Sequence, residues 1–193
     1  LQHDAHDPQA ARDVARFRGW TSRDPAVERA RRTLASWDAQ HRRESEAAAL
    51  YRYAGPLLGA GATPERAVAA AVDSLRAVLG PDPSGWRWGR FNTSQLPHPL
   101  VRAFDIPPVE RDGGAGFVAA TGATFRQIVD LGDPDASVAT NFPGQSGQPG
   151  SPFYANLAEP FGRAEYFPLA YTRAAVERHA AHRLTLVPTR GGR

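Results

Sequence analysis

The chain has 193 residues, a formal net charge of +3, no cysteine and no methionine, and arginine supplies all 23 of its basic residues. That length can bury a sizeable core without staples. The lack of cysteine excludes disulfides and thiolate metal sites, and no apolar run approaches the ~18 residues of a membrane span. A sequence without methionine even at position 1 is expected to be a piece of a longer product, with Leu1 a processing site or a cut end.

The polar start Leu1-Gln2-His3-Asp4 has no signal-peptide character, and His3 and His6 are expected in a frayed end. Asp7-Pro8 is a helix cap followed by proline at the first helical position, and a helix over Ala10–Phe17 follows from it. Asp24-Pro25 repeats the device ahead of Val27, Ala30, Leu34 and Trp37, which share one helical face. A third helix is predicted over Glu44–Leu58, with Pro56 kinking or ending it. Thr63-Pro64-Glu65 caps a fourth, whose apolar side is Val68, Ala71, Val72, Leu75, Val78 and Leu79, and Gly80-Pro81 stops it. Arg29, Arg31, Arg32, Arg42 and Arg43 are interleaved with Glu28, Asp38, Glu44 and Glu46, the pattern of a solvated helix face rather than a nucleic-acid surface.

Beyond residue 80 the texture changes. Pro81–Gly89 reads as a loop, and Pro97, Pro99, Pro107 and Pro108 leave Phe91–Gly116 irregular. Phe117–Ala119 is a short strand candidate. Ala123–Leu131 is a better one, joined by the Gly132-Asp133-Pro134-Asp135 turn to a hairpin partner over Ser137–Asn141. Gly144–Gly150 is a loop, Ser151-Pro152 begins a short helix towards Phe161, Thr172 caps a helix over Arg173–His182, and Leu184–Val187 is a last strand. Helices first, then locally paired strands, make an α+β chain, divided into a helical segment (1–82) and a mixed strand/helix segment (83–193).

No constellation in the sequence names a reaction. Ser146 in Gly144-Gln145-Ser146-Gly147 invites a nucleophile reading, but a serine elbow needs G-x-S-x-G between strand and helix, and here Gly147 falls one residue early. The other reading is a glycine-rich turn whose Gln and Ser side chains tie down backbone. Glu159 or Glu165 with His179 or His182 could complete a triad in order, yet nothing aligns them. His179 and His182 sit three apart on the predicted helix and share a face, but a metal needs a third ligand. Asp130, Asp133 and Asp135 lack the alternation and distant Glu of a calcium loop and read as a capped turn. Trp86, Trp88, Phe91 and His98 form an aromatic patch, either packing between subdomains or a substrate or partner surface.

The order of several short motifs resembles the penicillin acylase family. Leu34-Ala35-Ser36-Trp37-Asp38 is similar to its Leu-x-x-Trp-Asp helix. Trp88-Gly89 followed by His98-Pro99-Leu100 is similar to its Trp-Gly and His-Pro-Leu pair. Gly122–Arg126 with Val129–Asp133 resembles its Gly-x-Ser/Thr-x-Arg strand, and Pro143–Gly147 with Ser151-Pro152 and Tyr154 its Gly-Gln-Ser-Gly…Ser-Pro-x-Tyr segment. Tyr166, Pro168, Leu169 and the closing Leu184–Leu186 also fit. The chain departs from the pattern at Phe153, where His is usual, at Asn156-Leu157, where Asp-Gln is usual, and at Gly162–Ala164, which loosens a Trp-x-x-Gly.

The resemblance implies an N-terminal-nucleophile hydrolase that cuts itself to expose a serine. That hydroxyl attacks an amide with its own α-amino group as base. The family's serine, oxyanion residues and calcium ligands lie upstream of the matched stretch, so no catalytic, cofactor-binding or metal residue is assigned in this chain. Its strands are then expected to complete the central sheet of an αββα sandwich. The expected partners are the missing N-terminal part of the same enzyme and a small N-acyl substrate of the β-lactam or acyl-homoserine-lactone type, with no nucleic acid and no membrane. The compartment implied is periplasmic or secreted. The alternative is a non-catalytic binding or scaffold protein that reuses this half of the fold.

Overall fold

Each of the first helices starts where a short polar side chain can receive its orphan amides. In the computed structural model, which describes residues 3–119 and 123–187, Asp7 and Asp24 each accept two such amides ahead of α1 (Pro8–Val14) and α2 (Pro25–Ala35). Ser45 caps α3 (Glu46–Gly59) and Thr63 caps α4 (Pro64–Leu79). The start of α3 is therefore two residues later than the sequence reading, because the hydroxyl that takes the Ala48 N–H belongs to Ser45. Pro56 does not end α3, which runs on to Gly59. Proline forfeits one hydrogen bond there, while Leu50, Ala54 and Leu58 on the buried face hold the turn in place. Gly80, at φ 91, ends α4.

The apolar stripes face one another. Val27, Ala30 and Leu34 of α2, Leu50, Tyr51 and Ala54 of α3, and Val68, Val72 and Leu75 of α4 form one core with Phe17, Trp37, Trp86 and Trp88. Val78 lies off the stripe and is 58% exposed. The stretch after His3 is not frayed: Asp7 N–H donates to Ala39 O and His41 N–H to Ala5 O, so it is laced to the segment after α2.

The proline-rich region holds an unanticipated ribbon of β1 (Thr93–Leu96) and β2 (Ile106–Glu110), antiparallel with an irregularity between Ser94 and Leu96. Pro107 and Pro108 exclude helix; as neighbours in a strand they turn their missing N–H positions to opposite edges, one to the open edge of the ribbon and one to the irregularity between Ser94 and Leu96. Asn92 Nδ2 closes its base by donating to the carbonyls of Arg111, Asp112 and Gly113. A second sheet has the order β3–β4–β5, from β3 (Phe125–Ile128), β4 (Val138–Asn141) and β5 (Phe167–Pro168), all antiparallel, with Phe125 opposite Asn141 and Ile128 opposite Val138.

Beside that ribbon, in a stretch expected to be irregular, four further expectations fail in this half. Phe117–Ala119 is turn, not strand, held by Ala119 N–H to Asp4 O. Ser151-Pro152 starts turns rather than a helix, because the Ser151 hydroxyl is used locally by Phe153 N–H, and α5 is confined to Ala158–Gly162. The last helix, α6, ends at His179 rather than His182. Residues 184–187 form no strand and are exposed. A small core of Ile106, Val109, Phe142, Ala158 and Phe161 joins ribbon, sheet and α5. Among the described residues no helix is long and apolar enough to cross a membrane. Mixed α+β architecture, as the element order predicts, is what the chain adopts.

Candidate functional site

The Gly144–Gly147 turn is built by backbone. Gln145 and Ser146 N–H both donate to Phe153 O, Leu157 N–H donates to Pro143 O, and Asn141 Nδ2 donates to Gly144 O. Gly144 has to be glycine here, since a Cβ would lie 2.3 Å from Phe153 O and 2.8 Å from Tyr154 O. The Ser146 hydroxyl accepts Gln148 N–H at 3.1 Å, within its own loop. A Ser-acid-His relay would need an imidazole in reach, and His179 lies on exposed α6 while His182 lies beyond the helix end. Gly122, the first residue of the adjoining motif, lies outside the described residues.

The aspartates at the β3–β4 connection act as struts. Asp130 accepts Gly132 and Asp133 N–H. Asp135 accepts the N–H of Tyr171 and Thr172 and the Thr172 hydroxyl, which pins the turn to the start of α6 and holds the Asp135 carboxyl below the usual range. Among the described residues no group of three or more His, Cys, Asp or Glu side chains is placed to hold a metal ion.

The aromatic patch divides. Trp86 and Trp88 enter the helical core, where Trp88 Nε1–H donates to Gly113 O, and Phe91 packs against that core. His98 lies apart: its Nδ1 accepts Leu100 and Val101 N–H, so it organises its own turn. The space beside Trp88 is taken by His41, which is 4% exposed and ringed by Trp37, Tyr51, Trp88 and Phe117. Asp7 Oδ2 lies 3.3 Å from its Nε2, but neither ring nitrogen makes an aligned hydrogen bond among the described residues. Burial pushes the His41 pKa down, against the pull of Asp7. Enclosed this way, the imidazole packs as an aromatic ring.

Where the two sheets meet, the fold gathers cations that no sequence spacing links. Arg111, immediately after β2, is 3% exposed, and its Nη1–H donates to Ser94 Oγ at 2.6 Å. Its guanidinium lies 5.1 Å from the centroid of the Phe161 ring, and that of Arg126 on β3 lies 4.5 Å from the same centroid. Burial first, and Arg126 second, push the Arg111 pKa down to about 10. Arg126 Nη1 is 3.5 Å from His3 Nδ1, and His3 Nε2 is hydrogen-bonded to the Tyr166 hydroxyl. Burial and then Arg126 lower the His3 pKa, keeping the ring neutral near pH 7. Arg126 belongs to a motif visible in the sequence. Arg111, Phe161, His3 and Tyr166 were not singled out together, since their only relation is tertiary. Beside Arg111 a cavity of about 250 Å³ opens between β1 and the residues flanking the second sheet. The arrangement offers positive charge and hydroxyls against an apolar wall; it offers no activated nucleophile.

A family model described as penicillin amidase matches residues 1–178. The chain is 29% identical over 143 residues to the acyl-homoserine lactone acylase QuiP of Pseudomonas syringae pv. tomato, covering 64% of this chain and 17% of that protein. It is 33% identical over 135 residues to the QuiP of Pseudomonas fluorescens, with the same two coverages. It is 28% identical over 137 residues to the penicillin acylase 2 proenzyme of a Pseudomonas species, covering 61% of this chain and 18% of that protein. The matched stretch spans less than a fifth of the length of these curated relatives.

Proposed function

This chain belongs to the penicillin amidase family, and we propose that it forms the C-terminal part of an amide hydrolase whose catalytic residues lie upstream, where it buttresses the reacting centre. The observation that carries this reading is apolar surface. Leu100, Leu131, Leu184 and Leu186 are each more than 80% exposed, and Phe125, Val129, Phe153 and Tyr171 more than half. Side chains of this kind cost solubility unless something covers them, and the relatives are several times longer than the matched stretch. The upstream polypeptide is the cover, and the outer edge of β3 is a place for it to add a strand.

In this reading the whole enzyme hydrolyses the linear amide of an N-acyl compound, of the acyl-homoserine-lactone or penicillin type, to a carboxylate and an amine. An upstream N-terminal serine, freed by self-cleavage, forms the acyl-enzyme that water resolves. The proposed compartment is the periplasm or the exterior, and any calcium belongs to the upstream part. The test is reconstitution of the chain with the upstream polypeptide of its parent gene, followed by release of amine from an N-acyl amide. Activity is expected only from the combination, and Ser146→Ala should leave its kcat unchanged. Hydrolysis by the 193-residue chain alone, abolished by Ser146→Ala, would overturn the reading. The closed helical core favours a second reading, a stable binding or scaffold protein. That reading predicts a single cooperative melt and no serine at a self-cleavage junction upstream.

A further inference from the structure

The segment between α2 and α3 carries two costs close together. Ala39 is buried at φ 58, a left-handed conformation that a residue with a Cβ adopts only at a cost. Two residues on, the buried His41 ring makes no aligned hydrogen bond at either nitrogen among the described residues. Backbone strain beside an unpaired titratable ring marks a place where a fold can give. The groups that face His41 are few. Tyr51 of α3 faces it with a hydroxyl committed to Asp13. Trp37, Trp88 and Phe117 bring rings without charge. The facing carboxylate is Asp7, ahead of α1, whose Oδ1 already receives Gln9 and Ala10 N–H. Next to His41 in sequence, Arg42 pairs with Asp38 and Arg43 with Glu44, while Asp112 accepts the Arg43 N–H. A neutral imidazole suits this box. A charged one loses its water, and Asp7 and the aromatic faces return only part of that loss, in keeping with the downward push of burial on its pKa.

The walls of the box are held unequally. Trp37, Tyr51 and Trp88 belong to the helical core. The opposite side is a thin cover made of residues 3–7 and the turn over 113–119. It is fastened by Asp7 N–H to Ala39 O, His41 N–H to Ala5 O, Gly113 N–H to His41 O and Ala119 N–H to Asp4 O. We propose that His41 is an acid-operated latch: proton uptake by its ring releases residues 3–7 and the Phe117 turn from the helical core, so that the imidazolium reaches water while α2, α3 and α4 stay folded. Release also frees Ala39 from its hold on Asp7 N–H, so the strained residue can relax. The latch is a property of this chain and does not depend on the activity proposed above.

The experiment is amide hydrogen exchange of the full chain as pH is lowered from neutral, with the His41 ring followed by its carbon shifts in the same samples. One proton is taken up per opening. Protection of the Asp7, His41, Gly113 and Ala119 amides should therefore fall ~tenfold per pH unit below about 6.5, until the ring titrates in the closed state. It should also stay at least ~tenfold below the protection of Val68 and Val72 in α4. His41→Phe should abolish the fall. His3→Gln should leave it in place, although His3 ties the same segment to Tyr166 and Arg126. If His41→Phe does not fold, Asp7→Asn decides, since asparagine keeps the helix cap but removes the charge that favours a closed imidazolium; the fall should then extend to lower pH. The proposal is overturned if the ring takes up its proton with no loss of protection at the four amides, or if they exchange only together with Val68 and Val72. A fall that survives His41→Phe, that vanishes in His3→Gln, or that ends at an unchanged pH in Asp7→Asn overturns it equally.

Discussion

The two halves of this chain bury apolar residues to different degrees. In the helical half, α2, α3 and α4 turn their stripes inward around Leu34, Leu50, Val68 and Leu75, all at 0% exposure. In the strand-rich half the core cluster among the described residues is Ile106, Val109, Phe142, Ala158 and Phe161, while Leu131 and Leu184 stand 91% and 82% exposed. A helix satisfies its own backbone and needs only a partner for one face. A strand needs neighbours on two edges and cover on its faces, so a small sheet is incomplete by itself. The difference teaches that helices can close a core from nearby segments, whereas these short strands leave more apolar surface in solvent.

Mutations can break that contrast. Leu50→Ala and Phe161→Ala should be the most damaging, at about 2–5 kcal/mol each by denaturant unfolding. If the halves are as unequal as their cores, Phe161→Ala will keep most of the far-ultraviolet helix signal while Leu50→Ala lowers it. Equal loss of helix in both would show that the halves melt as one. Gly144→Ala should follow at about 1–3 kcal/mol, because its methyl meets two carbonyl oxygens. Its local readout is loss of exchange protection at the Gln145, Ser146 and Leu157 amides.

A smaller, pH-dependent effect sharpens the picture of the helical half. The folded-state pKa of His41 is lowered below 6.5 by burial. The unfolded chain therefore takes up a proton first, and stability that is complete above pH 6.5 falls as pH drops below it, until the folded-state pKa is passed. His41→Phe should flatten the thermal midpoint across that window. His3, also lowered by burial, acts with the same sign, and His3→Gln isolates its share. Persistence of the full slope in His41→Phe would refute the assignment. The smallest effect is expected at the exposed apolar surface. Leu131→Ser should change the stability of this chain by no more than about 0.5 kcal/mol, yet reduce its self-association in sedimentation. A large loss of stability would mean that the surface is covered within the chain itself.

The helical half was legible because its signals are local. Asp7-Pro8, Asp24-Pro25 and Thr63-Pro64 mark helix starts, and Gly80 marks a stop, all by chemistry within one turn. The β3–β4 hairpin was legible for the same reason, its turn being written in Asp133-Pro134. Less was legible where a residue's state depends on distant partners. Prolines at 107 and 108 conceal a strand, because only the pairing with β1 shows that they fall at an open edge and at the irregularity between Ser94 and Leu96. Leu184–Val187 has strand composition but forms no strand among the described residues, and pairing is a property of two segments. His3 looked like a loose end until Tyr166 and Arg126 came beside it.

What the sequence by itself determined is therefore the family, through motifs kept in order along nearly the whole chain, and the helices, through caps and periodicity. Tertiary structure decided the rest. It enclosed His41 in aromatic rings, spent the Ser146 hydroxyl on its own loop, and set Arg111 and Arg126 against one phenylalanine. The physical reason is range. Hydrogen-bond caps and helical stripes act across a few residues, whereas burial and charge proximity arise only when segments far apart in the chain are folded together.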